Sequence, residues 1–306
     1  MIRGIAIALC SVAVATAAAG RQQAFRSGVD VVELNVVVSS GNRSVSGLMA
    51  EDFAVTDNGV AQTVMSVSLE TMPIDVMMVI DASASIHAQL ADAIMTAGNR
   101  IRDELRGTDR VSLITFNQLI QERLALGPAA SAGRVELGRR VGATALNDAI
   151  AVGLTTPVPI ERRSMVMVFT DGYDTVSFLD EARVLEIAGR SRSVLFIVAR
   201  ARNANAVPKA FYDALAAATG GLVQIVPPFV VDEPAPLGQP QLSPRSSANP
   251  RLLDEAFLKA LNDFRSAYVV RYTLTGVPRQ GWHDVTVRVT KTGRKYDVRA
   301  RKGYQW

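Results

Sequence analysis

The stretch from Ile74 to Ile86 opens with an uninterrupted apolar run, Val76-Met77-Met78-Val79-Ile80, and closes on Asp81, Ser83 and Ser85. A strand with no polar face suits the centre of a parallel sheet covered by helices on both sides. Behind it Ile86, Leu90, Ile94, Ala97, Ile101 and Leu105 recur at three- and four-residue spacings, which predicts an amphipathic helix starting at Ile86. Further apolar strands are predicted at Val111–Phe116, Met165–Phe169, Val194–Val198 and Leu222–Val226. Helical stretches separate them near Ala145–Leu154, Leu179–Arg190 and Lys209–Ala218. Such alternation predicts an α/β fold with a doubly wound, mainly parallel sheet.

The two ends of the chain follow another period. Val32, Leu34, Val36 and Val38 alternate with polar residues, and Asp57-Asn58-Gly59 between two β runs is a hairpin signal. Alternation returns after Ala267, in Tyr268–Val270, in Val285, Val287 and Val289, and in Tyr296, Val298 and Ala300. These ends are expected to form one small antiparallel β domain, a sandwich, into which the α/β part is inserted. Between residues 227 and 250 lie seven of the thirteen prolines, a composition that predicts an extended surface loop. An amphipathic helix then runs from Arg251 to Phe264 directly into the next strand, so that its movement would pull on the β domain.

Composition narrows the class. With 306 residues, 48% hydrophobic and 20% charged, and a net charge of +4, the chain is an ordinary globular one of more than one domain. Arg3, the apolar run Ile5–Ala15 and Ala17-Ala18-Ala19 resemble a secretory signal peptide over residues 1–19. The expected location is therefore secreted, periplasmic or in the cell envelope, with no transmembrane segment in the mature chain; the alternative is an uncleaved amino-terminal anchor. The single cysteine, Cys10, lies within that segment, so the mature chain has no disulfides, thiol chemistry or Cys-ligated zinc. The expected domains are 20–72 (β), 73–265 (α/β, with the proline-rich loop) and 266–306 (β).

Asp81-x-Ser83-x-Ser85 gains meaning from two later segments, Gly142-Ala143-Thr144 ahead of a helix and Thr170-Asp171-Gly172 after a strand. Each is placed to reach the same sheet edge, where open α/β sheets bind ligands. Two carboxylates and three hydroxyls suit Mg²⁺ or Mn²⁺: the aspartates offset most of the charge and neutral oxygens complete the shell. An open position then remains for a carboxylate from a partner. Gly172 is expected to let its loop approach closely.

On these residues the sequence resembles a von Willebrand factor type A domain with a metal-ion-dependent adhesion site. The resemblance implies Asp81, Ser83, Ser85, Thr144 and Asp171 as metal residues, Mg²⁺ or Mn²⁺ as cofactor, and a protein partner presenting Asp or Glu. Ser83 and Ser85 would bind directly, and Thr144 and Asp171 would exchange direct for water-mediated contact. Where the family often has Gly between the serines, Met after them and Gly-Gly before the Thr, this chain has Ala84, Ile86 and Gly142-Ala143. With Val29–Val38, Gly47-Leu48, Asp52-Phe53, Asp57-Asn58-Gly59 and Arg301-Lys302-Gly303-Tyr304, the whole chain is similar to secreted von Willebrand factor A-related proteins of acidobacteria.

Plainer roles compete with these. Ser85 and Thr144 are positioned to cap the helices that follow them. Asp174 reads as a surface-loop residue and His87 as a solvated one. The basic residues Arg265, Arg271, Arg279, Arg288, Lys291, Arg294, Lys295, Arg299, Arg301 and Lys302 read as a solvated face or edge protection, or as contact with an anionic cell-surface polymer. Neither a reading helix nor interleaved aromatics point to nucleic acid. The chain is expected to be a binding protein and not an enzyme. The alternatives are a metal-stabilised structural module of the envelope and, further off, a metal-dependent hydrolase.

Overall fold

The computed structural model describes residues 30–41, 43–69, 72–200, 207–227 and 250–306. The signal-peptide segment and most of the proline-rich loop lie outside the described residues.

β5 (Ile74–Asp81) is buried along its whole length. It lies between β8 (Arg163–Thr170) and β6 (Arg110–Phe116), parallel to both. The six-stranded sheet continues through β9 (Val194–Arg200) to β10 (Leu222–Val226) on one side and ends at β7 (Ile120–Pro128) on the other. β7 is antiparallel to β6, and the apolar pattern does not predict it: as an edge strand it exposes Gln121, Glu122 and Arg123 in succession.

Alternate residues of β5 serve opposite layers. Val76, Met78 and Ile80 pack with α1 (Ala88–Glu104) and α5 (Pro250–Arg265), while Met77 and Val79 pack with α2 (Leu146–Thr155). α3 (Glu181–Arg190) and α4 (Lys209–Thr219) share the α2 layer. The path leaves β5 for β6 on one side and returns to β8 on the other. The crevice beyond the carboxyl ends of β5 and β8 is therefore a topological switch point.

The remaining strands are β1 (Val31–Ser40), β2 (Arg43–Ser44), β3 (Phe53–Asp57), β4 (Val60–Ser68), β11 (Tyr268–Thr273), β12 (Trp282–Val289), β13 (Asp297–Arg299) and β14 (Gly303–Gln305). They form one eight-stranded sheet in the order β13-β1-β11-β4-β3-β12-β14, with β2 on β1. The expected sandwich is thus a single antiparallel sheet, and its core gathers Leu34, Val36, Phe53, Tyr268, Val270 and Tyr272 from both ends of the chain. Asn58 and Gly59, with φ of 47° and 79°, form the β3–β4 turn, where two successive positive φ angles match the twist of the strands.

Two arginines, Arg163 buried and Arg301 half-buried, fasten this sheet to the α/β layers. Arg163 donates to Asn35 Oδ1 (3.0 Å) and to the Phe264 carbonyl (2.7 Å), with its guanidinium over the Phe264 ring. Arg301 donates to the carbonyls of Gly189 (2.8 Å) and Ser191 (3.2 Å), oxygens that the end of α3 leaves without helical partners. Burial pulls the Arg301 guanidinium down to about 10. Further cations of the C-terminal region are also paired within the chain: Arg265 with Asp109, Arg271 with Glu33, Arg279 with Asp30, Lys291 with Asp52 and Arg299 with Asp263.

Candidate metal centre

Three loops converge at the switch point. Ser83 Oγ lies 2.9 Å from Ser85 Oγ, and Ser85 Oγ donates to Asp171 Oδ1 at 2.6 Å. Asp81 Oδ1 accepts from the Ser83 amide (2.8 Å), which turns the loop just after β5. Its Oδ2 accepts from Thr170 Oγ1 (3.0 Å). Asp81, Ser83 and Asp171 are buried. The third loop lies alongside: Val141 N donates to Ala82 O and Ala84 N to Gly142 O, each at 3.1 Å. These bonds bring Thr144, also buried, to the same edge.

Gly142 is the glycine this arrangement requires. Its φ is +80°, and a Cβ there would fall 1.5 Å from Gln118 Oε1. At Gly172 a Cβ would meet nothing within 4 Å, so the close approach expected there is not what that glycine serves.

Helix capping is assigned differently from expectation. α1 begins at Ala88 and its cap is His87, whose Nδ1 accepts from the Leu90 amide (3.3 Å); Ser85 faces Asp171 instead. Thr144 does not cap α2. That end is held by Asp174 Oδ1, accepting from Asn147 N (3.1 Å), and by Ser177 Oγ, accepting from Asp148 N (3.1 Å). Asp174 is therefore a half-buried strut between two loops of the centre and not a free surface residue.

Sequence reasoning assigned no role to Thr170 or Arg200. Thr170 precedes Asp171 and orients Asp81. Arg200, buried at the end of β9, places Nη1 3.8 Å from Asp171 Oδ2. Polar residues at the last positions of two adjacent strands are the signal that would have found both.

Burial pushes the Asp81 carboxyl up to about 6, and the field of Asp171 adds to the effect against the hydrogen bonds from Ser83 and Thr170. The buried carboxylates of Asp81 and Asp171, the Ser83 and Ser85 hydroxyls and Thr144 at the same edge are a hard-oxygen donor set that fits a divalent cation. No group of three or more His, Cys, Asp or Glu side chains suited to a metal occurs among the described residues, and a cation at this centre would draw on hydroxyl oxygens as well as the two carboxylates. Arg200 would offset part of the negative charge that the centre offers a cation. Arg200→Met is expected to tighten Mg²⁺ binding roughly tenfold in calorimetry, and Arg200→Lys to change it little.

No family model matches the chain, and no curated protein matches it. Solved structures similar to it include von Willebrand factor type A domain proteins. One is von Willebrand factor type A from Catenulispora acidiphila, 12% identical over 92% of this chain and 75% of that one, with a TM-score of 0.46. Another is the ArnB paralog VWA2 from Sulfolobus acidocaldarius, 13% identical over 90% and 75%, with a TM-score of 0.47. A third is proximal thread matrix protein 1 from the mussel byssus with a zinc-occupied MIDAS motif, 14% identical over 66% and 48%, also at 0.47. Likenesses this distant carry no functional weight, and the reading of the centre rests on its own atoms.

Proposed function

We propose that this protein is an exported binding module of the von Willebrand factor type A kind that captures an acidic residue of a protein partner through Mg²⁺ or Mn²⁺. The observation that carries the reading is the unbroken oxygen path Ser83–Ser85–Asp171, at 2.9 and 2.6 Å, beside buried Asp81 at the switch point of the sheet. Ser83, Ser85, Thr144 and Asp171 would hold the ion. Asp81, with both oxygens engaged by Ser83 N and Thr170, would act on it through water and by its charge. The ion would supply an electrophilic position for a carboxylate. The test is capture of an envelope protein that requires Mg²⁺, is reversed by chelator and is lost in Ser85→Ala. Turnover of a substrate by the purified protein would overturn the non-enzymatic part of the reading.

The finer organisation belongs to the same proposal. Residues 73–265 form the binding domain, set within a β domain of 20–72 and 266–306, as in the secreted acidobacterial group the sequence resembles. Export rests on residues 1–19, and no helix among the described residues is long and apolar enough to cross a membrane. An anionic polymer as partner has less support, because at least seven of the ten C-terminal cations are engaged within the chain, Arg294 over the Tyr296 ring among them.

α5 is the route by which the centre would reach the β domain. Leu253, Phe257 and Phe264 are buried against the sheet, and Phe264 and Arg265 are held by Arg163 and Asp109 just before β11. Mg²⁺ with a captured partner is expected to change hydrogen exchange of residues 251–270 relative to the metal-free protein. Identical exchange would reject the coupling.

A further inference from the structure

The loops around the centre expose large apolar side chains. Phe178 is 99% exposed, more than any other large apolar residue described, and Tyr173, Val176, Leu119 and Val141 are exposed on the same set of loops. These loops are joined to one another. Thr175 N and Val176 N donate to Thr144 O at 2.8 and 3.3 Å, and Ala145 N donates to Asn117 O at 2.8 Å.

The segment bearing Phe178 is fastened on both sides of the ring. The Asp148 carboxylate accepts from Phe178 N (3.0 Å) and Leu179 N (2.9 Å), and Asn147 Nδ2 donates to Leu179 O (3.0 Å). Asp174 accepts from Asn147 N and Ser177 N. An aromatic side chain presented to water on a pinned backbone loses little freedom on binding, which is what makes an efficient anchor. The same bonds turn Asp148 and Asp174 inward, so neither faces an incoming carboxylate. Beside the centre, where Val141 N donates to Ala82 O, the segment leading into Val141 carries Arg139, exposed, and Arg140, half-buried.

We infer that this rim is a docking surface for a folded or peptide protein segment in which the metal-bound Asp or Glu is flanked by an aromatic or branched aliphatic residue that covers Phe178. The apolar side of the rim selects that neighbour, and the arginine side complements a partner of net negative charge. The inference rests on the metal and carboxylate reading above and names the class of partner that reading leaves open.

The test is selection of a random 12-residue peptide library displayed on phage against the full chain in Mg²⁺, with elution by chelator. Selected peptides are expected to share an acidic residue with an apolar one at fixed spacing. Selection on Phe178→Ser is expected to keep the acid and lose the apolar preference. A synthetic selected peptide is expected to bind that variant about ten-fold more weakly while Mg²⁺ titration is unchanged. Peptides with the acid but no apolar preference, or equal binding by Phe178→Ser, would overturn the rim and leave the metal reading standing. Recovery of no peptide by chelator, or of eluted peptides that share no acidic residue, would overturn both. Mg²⁺-dependent self-association lost in Phe178→Ser would make a second copy the occupant, and retention on an anionic polysaccharide unaffected by Phe178→Ser would make it a polymer; either overturns the inference.

Discussion

Alanine in place of Asp81 is expected to weaken Mg²⁺ or Mn²⁺ binding by roughly 100-fold in titration calorimetry, the upper range for removal of a group that orients a metal's ligands. The side chain holds two parts of the centre at once, Ser83 through its amide and Thr170 through its hydroxyl. It also carries one of the two negative charges that attract the ion. In the metal-free protein the same change is not expected to destabilise the fold at neutral pH, which separates it from a core mutation. Burial and the field of Asp171 raise the Asp81 carboxyl from 3.8 to about 6, so its ionised form is disfavoured in the fold. The folded chain then binds more protons than the unfolded one between those values. The contribution of this group to stability is accordingly undiminished below about 3.8, falls as pH rises through the interval, and is lowest above about 6. Mg²⁺ should restore it at neutral pH. Thermal melts of wild type and Asp81→Asn at pH 5 and 7.5, with metal and with chelator, check the sign: the pH effect belongs to the metal-free wild type alone.

Asp57→Ala is expected to cost about 3–5 kcal/mol of stability, the range for breaking a buried charged network by removing one partner. Asp57 is fully buried. One carboxylate oxygen lies 2.8 Å from His283 Nδ1, and the other accepts from Tyr272 (2.6 Å) and Tyr304 (2.9 Å). The His283 ring stacks on Tyr304 at 4.6 Å, and its Nε2 lies 3.2 Å from the Arg279 carbonyl. Burial is the main reason both phenols are raised above the usual tyrosine range. Without the carboxylate, an imidazole and two hydroxyls remain in the core with no equal acceptor. Because Asp57 ends β3, Tyr272 lies on β11 and His283 and Tyr304 on β12 and β14, the loss falls on the joining of the chain's two ends. Urea unfolding followed by tryptophan fluorescence would show it, since Trp306 lies 6.2 Å from the His283 ring. Mg²⁺ affinity, measured below the transition, should be unchanged, and an unaltered midpoint would refute the role given to Asp57.

His283 shows why this network escaped sequence reasoning. It lies in an alternating strand, and nothing local marks it as the partner of a residue 226 positions away. β7 escaped for a different reason, since an edge strand covered on one face mixes apolar and charged residues without a clear period. His87 reads as solvated from its place on the polar side of the first helix and Asp174 as a surface-loop residue, yet one caps a helix and the other spans two loops. Local pattern reports burial of a residue's own face, and it is silent on which distant backbone group that residue meets.

The sequence by itself determined the parallel strands, the helices between them and the β3–β4 turn, which follow from periodicity and turn chemistry, both local properties. The five candidate metal residues come from the resemblance to the von Willebrand factor type A family. Tertiary structure alone decided that Ser85 meets Asp171, that Thr170 and Arg200 set the charge and orientation of the two carboxylates, and that Phe178 stands exposed beside them. Those facts depend on which strand ends become neighbours at the switch point, and strand order is a matter of packing between distant segments.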